Sequence, residues 1–268
     1  MSHYKIEAGT AQHIGDRSEQ QDRVALYTAP KAPGYMMAVL ADGMGGLSGG
    51  AMAAEQVLRT ARQAFDLFSP LTDAVPPMLE AIARDAHTLI KLSAYSSEKN
   101  PHSTMVVLVL TPEGEACWAH VGDSRLYRFA GPNCAERTVD HSYVELLVAQ
   151  AKLDRKDAAN HPMSNVLTSA LGSHDNEPTV GMGRHAGLKP GDAFLLCSDG
   201  LWHYFNDTEM GAILAMNTPR QASEMLIAKA RERAVGANAD NCSLAIVKLS
   251  PPDNPNKSYT VGKMRRAV

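Results

Sequence analysis

Apolar residues recur along this chain with two rhythms, one of short runs and one of three-and-four spacings. Residues 5–12 read as a weak strand, 23–28 as another, and 35–41 (YMMAVLA) as a buried strand. Two helical stretches follow. The first carries Ala54, Val57, Leu58, Ala61, Phe65 and Phe68 on one face, and the second carries Leu79, Ile82, Ala86, Leu89 and Ile90 on one stripe. The second opens near Pro76-Pro77, where proline is tolerated because the first N–H groups of a helix lack intrahelical partners. Beyond Asn100-Pro101 the strand rhythm returns at 104–110, 115–121 and 125–129. The links Thr111-Pro112-Glu113-Gly114 and Gly122-Asp123-Ser124 look like tight turns, which predicts a meander. Residues 141–177 are polar apart from Val144, Leu147 and Val148 on a short amphipathic helix, and read as an inserted, mobile segment. Strands at 179–182 and 193–198, helices at 207–216 and 219–234 and a strand at 242–249 complete the order. Residues 251–268, with Pro, Asn and basic side chains, read as a flexible tail.

Strand runs interleaved with consecutive helix pairs predict an α+β fold, antiparallel sheets packed by helices. No repeat and no linker divides the chain, so the expectation is a single domain over 1–250. Composition narrows the class without naming a function. The 268 residues are 44% hydrophobic and 21% charged, which excludes collagen, coiled coil and wholesale disorder. A net charge of −3 offers no electrostatic case for nucleic acid. No apolar run approaches the ~18 residues that span a bilayer, so no membrane partner is expected. Cys117, Cys134, Cys197 and Cys242 form no Cys-x-x-Cys and read as small hydrophobes in a reducing compartment. The first twenty residues lack a charged leader followed by an apolar core. A cytoplasmic protein is the resulting expectation.

The acids matter through their positions. Asp42 and Asp199 each follow an apolar strand and precede glycine, Asp123 follows a strand, Asp240-Asn241 precedes the last strand, and Asp22 precedes the second. Singly, an Asp at a strand end only punctuates a turn. As a set they differ, because converging strand ends put several carboxylates on one rim, and crowded like charges need a cation. Carboxylates without nearby His or Cys suit Mg²⁺ or Mn²⁺ better than zinc. There is no His-Glu-x-x-His; His141 and His161 fit surface or capping roles equally well. The segment Gly43–Gly50 can cradle an anion at a helix start, yet it is not a nucleotide P-loop.

Asp42 in ADGMGG, Asp123 in GDSRLYRF, Asp199 in CSDGLW and Asp240 in ADNCSLAIV resemble, in order and context, the type 2C protein phosphatases. Arg17 and Asp22 in RSEQQD look like that family's first motif, and HSTMVVLVL, DHSYVELLV and HPMSNVLTSALGS resemble its bacterial-type segments. The resemblance runs from about Gly9 to Leu249. It implies a four-layer αββα sandwich of two antiparallel sheets flanked by helices, with 141–177 as an inserted flap. It implies hydrolysis of phosphoserine and phosphothreonine by a water or hydroxide bridging two Mn²⁺ or Mg²⁺ ions. Asp42 would bridge the ions, Gly43 would offer its carbonyl oxygen, Asp199 and Asp240 would ligate one ion, and Asp22 would hold a metal-bound water. Asp123 with Asp199 looks like the site of a third, weaker ion, and Arg17 would clamp the phosphate. Phosphorylated proteins, among them a Ser/Thr kinase and its substrates, are the implied partners of a monomer.

Two positions depart from the family pattern. Met44 stands where some relatives have a histidine proposed as proton donor, and Gln21 stands where the motif often has Glu. A reading from another class is a catalytically inactive module that keeps the fold to bind a kinase or phosphoprotein; a third keeps the chemistry and changes only the substrate, to an anti-sigma-type regulator. The retained Asp22, Asp42, Asp123, Asp199 and Asp240 speak against the inactive module.

Overall fold

The computed structural model describes residues 4–46, 49–95, 100–158, 161–174, 176–234 and 238–252. The tail beyond 252, and Leu47 and Ser48 of the glycine-rich segment, lie outside them. Chain order is β1 (Lys5–His13), β2 (Arg23–Thr28), β3 (Met36–Ala41), β4 (Gly43–Met44), α1 (Gly49–Leu67) and α2 (Val75–Tyr95). There follow β5 (His102–Ser103), β6 (Met105–Leu110), β7 (Glu115–Val121), β8 (Arg125–Ala130), β9 (Asn133–Arg137), α3 (Tyr143–Ala149) and α4 (Arg155–Ala158). The last elements are β10 (Gly181–Ala186), β11 (Asp192–Cys197), α5 (Asp199–Trp202), α6 (Asp207–Met216), α7 (Pro219–Arg233) and β12 (Cys242–Ser250).

The strands form two five-stranded antiparallel sheets, β1-β12-β11-β8-β9 and β10-β7-β6-β3-β2, with β4 and β5 paired separately. Period-two alternation sorts each strand's side chains between two apolar layers. In β3, Met37, Val39 and Ala41 join α1 and α2 in one cluster, whereas Ala38 and Leu40 face the other sheet. In β11, Ala193, Leu195 and Cys197 pack with α6 and α7, while Phe194 and Leu196 meet Leu40, Leu108 and Trp118 between the sheets. The order of layers is therefore helices, sheet, sheet, helices, the αββα sandwich expected. Strands with both faces covered have no polar side, which is why β3, β6 and β11 read as unbroken apolar runs.

Besides the short elements β4, β5, α4 and α5, which the sequence reading does not name, four details differ from it. The meander is only half present. The turn Thr111–Gly114 does pair β6 with β7, but Gly122-Asp123-Ser124 carries the chain into the other sheet. Both sides of β7 are already taken, by β6 and β10, so β8 pairs with β11 and β9 instead. The strand expected at 179–182 forms at Gly181–Ala186, masked by two glycines. A Cβ at Gly181 would stand 2.1 Å from the His120 ring and one at Gly183 2.3 Å from Trp118, so side-chain absence, not alternation, marks this face. The polar edge strand β9 has no apolar alternation to announce it. Leu89 leaves the expected stripe of α2 and is 42% exposed, while Leu79, Ile82, Ala86 and Ile90 are buried.

Among the described residues no helix is long and apolar enough to cross a membrane. Residues 141–177 are tied down at both ends, through Thr168 N–H to the His141 carbonyl (2.8 Å), Tyr143 N–H to the Val166 carbonyl (2.8 Å), and a bridge from Leu171 to Ser103. Leu171 is fully buried against the α1/α2 layer.

Candidate active site

Antiparallel pairing brings alternate strand starts and ends to the same rim. Arg23 pairs with Ala41, so Asp22, just before β2, lies beside Asp42, just after β3. Met105 pairs with Val121, which sets Thr104 beside the turn that carries Asp123. In the second sheet Arg125 pairs with Cys197, Cys197 with Leu244, and His13 with Cys242. Asp199 after β11, Asp240 before β12 and Arg17 after β1 therefore meet the first group where the two rims face each other. Arg17, Asp42, Gly43, Asp123, Asp199 and Asp240 all line one cavity of about 600 Å³. Asp22 stands behind its wall with no exposure at all.

Backbone and hydroxyl contacts hold the acids. The Asp42 N–H donates to Thr104 Oγ1 (2.9 Å), and its carbonyl accepts from Thr104 N–H (2.8 Å) and Ser103 Oγ (3.1 Å). Ser198 Oγ donates to Asp22 Oδ2 (2.8 Å), and the Asn241 N–H to Asp240 Oδ1 (2.8 Å). Trp202 Nε1 donates to the Asp123 carbonyl (3.0 Å). Arg17 reaches Asp240 through Nη2 at 2.6 Å, with both side chains about half exposed. At Gly43 a Cβ would lie 2.0 Å from the Gly50 carbonyl oxygen, so the close approach of these backbones requires glycine.

Electrostatically the cavity is set for cations. Burial, and then the charges of Asp22, Asp199, Asp123 and Asp240, push the Asp42 carboxyl well above the usual range. Burial and then Asp199 and Asp140 push Asp123 up to about 7; burial raises Asp22 to about 6 against its bond from Ser198. Asp199 rises by burial, against the nearby His203. Four carboxylates that resist ionising together, Asp22, Asp42, Asp123 and Asp199, fit a hard divalent ion, which removes that resistance. The orphaned Oδ1 of buried Asp22, which has no hydrogen-bond partner, points the same way. Among the described residues no three His, Cys, Asp or Glu side chains gather tightly enough to enclose an ion unaided. A lining of carboxylates without histidine or cysteine suits hard divalent ions such as Mg²⁺, which take one or two carboxylates each and keep several waters.

Every residue singled out from the sequence for this chemistry is thus at the rim, and His141 and His161 are not among the cavity's lining. Sequence reading missed the polar frame. Asn241, 5% exposed, accepts the Gln21 N–H through Oδ1 (2.6 Å) and donates through Nδ2 to the carbonyls of Ile14 (2.8 Å) and Glu19 (3.1 Å). It shapes the loop that carries Arg17, and its one sequence signal is adjacency to Asp240. Met44, Asn165 and Leu167 also line the cavity, the last two from the segment 141–177.

Comparison with known proteins agrees with this fold. The Protein phosphatase 2C family model matches residues 9–226. The serine/threonine phosphatase stp of Listeria monocytogenes is 31% identical over 215 residues, 78% of this chain and 83% of that protein. The solved serine/threonine phosphatase of S. agalactiae superposes with a TM-score of 0.82 at 27% identity, covering 91% of this chain and 99% of that one. The catalytic domain of the serine/threonine phosphatase PstP, solved with two manganese ions, shares the fold with a TM-score of 0.73 at 24% identity over 91% of this chain and 98% of that one.

Proposed function

Because this chain belongs to the Protein phosphatase 2C family, we infer that the aspartate-lined cavity is where it hydrolyses phosphoserine and phosphothreonine. The activity is that of a metal-dependent protein serine/threonine phosphatase. The observation that carries the placement is the convergence of Asp42, Asp123, Asp199 and Asp240 with Arg17 on one cavity. On this reading Asp42, the Gly43 carbonyl, Asp199 and Asp240 would hold two Mn²⁺ or Mg²⁺ ions, Asp22 would hold a metal-bound water, and Asp123 with Asp199 would take a third. Bound, the ions supply a lowered water pKa and offset charge on the phosphoryl oxygens and leaving alkoxide. PstP, with two manganese ions, supports the number and one choice of metal.

The chain's own residues do the rest. Thr104 and Ser103 fix the Asp42 backbone, so the central carboxylate is pre-positioned. Arg17 brings a planar fork of donors to the cavity mouth, where it orients a phosphate by two parallel bonds. Met44, in the lining, offers no proton, so water is the expected proton source. Nothing favours the inactive module. The single catalytic domain over 1–250, with 141–177 as a flap bordering the site, is supported by Asn165 and Leu167 in the lining. Phosphorylated proteins, a Ser/Thr kinase and its substrates among them, are the partners this reading assigns to a monomer.

The test is turnover. With Mn²⁺ the purified chain should release phosphate from a phosphothreonine peptide; absence of release at any Mn²⁺ concentration overturns the reading. Arg17→Ala should raise KM for that peptide about 10-fold or more, the scale of a charge-assisted hydrogen bond, and change kcat less. An unchanged KM removes Arg17 from the clamp role.

A further inference from the structure

The turn Gly122-Asp123-Ser124 is where the chain changes sheets, and it is held from three sides. Ser124 Oγ meets Thr104 Oγ1 at 2.8 Å, which ties the turn to the strand end that also holds Asp42. Gly122 adopts φ +96°, and a Cβ there would lie 2.7 Å from Thr104 Cγ2, so the turn is pressed against that residue. The two other supports come from outside the acidic set. His141 Nδ1 accepts the Gly122 N–H (3.2 Å), while the His141 N–H donates to the Gly122 carbonyl (2.9 Å). Trp202 Nε1 donates to the Asp123 carbonyl.

Neither support is loose. The Arg125 guanidinium lies 3.4 Å from the Trp202 ring centroid and grips Asp140 with two bonds of 2.8 and 2.7 Å. Arg125 also donates to the Tyr127 hydroxyl at 3.1 Å. Asp140 is the chain neighbour of His141, whose ring stacks on His120 with centroids 4.6 Å apart. Asp123, Trp202, Arg125, Asp140, His141 and Gly122 thus close a ring of contacts around the turn. Since Nδ1 of His141 accepts, its proton is on Nε2, one tautomer fixed by one backbone N–H. A turn fixed at each peptide keeps its carboxylate within the narrow range of positions a ligand needs.

We propose that Trp202 and His141 are positioning residues for Asp123, setting its carboxylate through the backbone of the turn. The proposal rests on the assignment of Asp123 as an ion ligand, and the experiment separates the two. In metal-free full-length protein, amide exchange over residues 121–126 should quicken about 10-fold or more in Trp202→Phe, which keeps a ring under Arg125 and loses the donor, with β6 and β12 unchanged. His141→Ala should do the same. His141→Asn, which returns an acceptor close to the Nδ1 position, should restore wild-type protection. Wild-type exchange in both Trp202→Phe and His141→Ala overturns the proposal, and His141→Asn as fast as His141→Ala removes His141 from it.

Mn²⁺ titration by calorimetry gives the second readout. Trp202→Phe should weaken, about 10-fold, the class of sites that Asp123→Asn removes, and leave the others alone. If Asp123→Asn alters Mn²⁺ binding and Trp202→Phe does not, the positioning role is wrong. If Asp123→Asn alters nothing, the ligand assignment fails, and the exchange result alone decides the positioning role.

Discussion

Asp42→Asn should lower kcat/KM for a phosphothreonine peptide by roughly 10³-fold or more, about 4 kcal/mol of transition-state stabilisation. Asp42 is the acid on which the other four act, since Asp22, Asp199, Asp123 and Asp240 all raise its carboxyl. An amide there keeps the size and the backbone bonds to Thr104 but has no charge with which to hold cations. The same variant should make the metal-free fold more stable. Without cations, the fold holds a carboxyl whose ionised form is disfavoured by burial and by four neighbouring acids, whereas it ionises freely when unfolded, and that difference costs stability. Asparagine is neutral in both states. Thermal unfolding in EDTA should show a Tm several degrees above wild type. A variant that is inactive and also less stable in EDTA would mean that Asp42 serves packing, and would falsify its place at the centre of the acidic set.

Chelation is the second large effect. EDTA should abolish turnover and Mn²⁺ should restore it, while the Tm gained on adding Mn²⁺ should shrink as pH falls from 8 to 5. Asp123 and Asp22, raised to about 7 and about 6, with Asp42 and Asp199 raised beside them, take up protons across that window and compete with the ion. For the metal-free chain the sign of this contribution is fixed. A carboxyl raised in the fold contributes stability that is present below its unfolded value of 3.8 and lost as pH rises through the folded value. Three histidines oppose it. Burial holds His87, His120 and His141 below their usual range, His141 at about 4, so their contribution is present above 6.5 and lost as pH falls. The raw metal-free profile mixes both, and the Mn²⁺-dependent difference in Tm isolates the carboxylates. A difference that stays constant from pH 8 to 5 would show that the ions bind elsewhere.

Much of the fold is legible in the sequence. Apolar runs located β3, β6, β7 and β11 within a residue or two, because each packs on both faces. Helical spacing located α1 and α2, and missed only at Leu89, which lies at the margin of its stripe. Among the elements not read, β4, β5, α4 and α5 are only two to four residues long, too short for a period, while β9 and the true extent of β10 are edge strands without an alternating apolar face. Asn241, Trp202 and Ser198 went unread as site residues for another reason. Each acts through a hydrogen bond to a backbone or an acid distant in the chain, such as Ser198 to Asp22, 176 positions away. A single polar residue leaves no pattern along the chain.

By itself the sequence determined the local chemistry: which runs are buried strands, which acids follow them, and that those acids come in the order and context of one family. The tertiary structure decided what lies next to what. That Gly122-Asp123-Ser124 crosses between sheets, and that Asp42 and Asp22 from one sheet face Asp199 and Asp240 from the other, follows from strand pairing and from the packing of Leu40, Leu108 and Trp118 against Phe194 and Leu196. Turn residues specify that a chain bends, through local backbone energies that any short window contains. Which strand it then joins depends on edges already occupied and faces already buried, and those are set by residues distant in the chain, such as those of β10 on the far edge of β7.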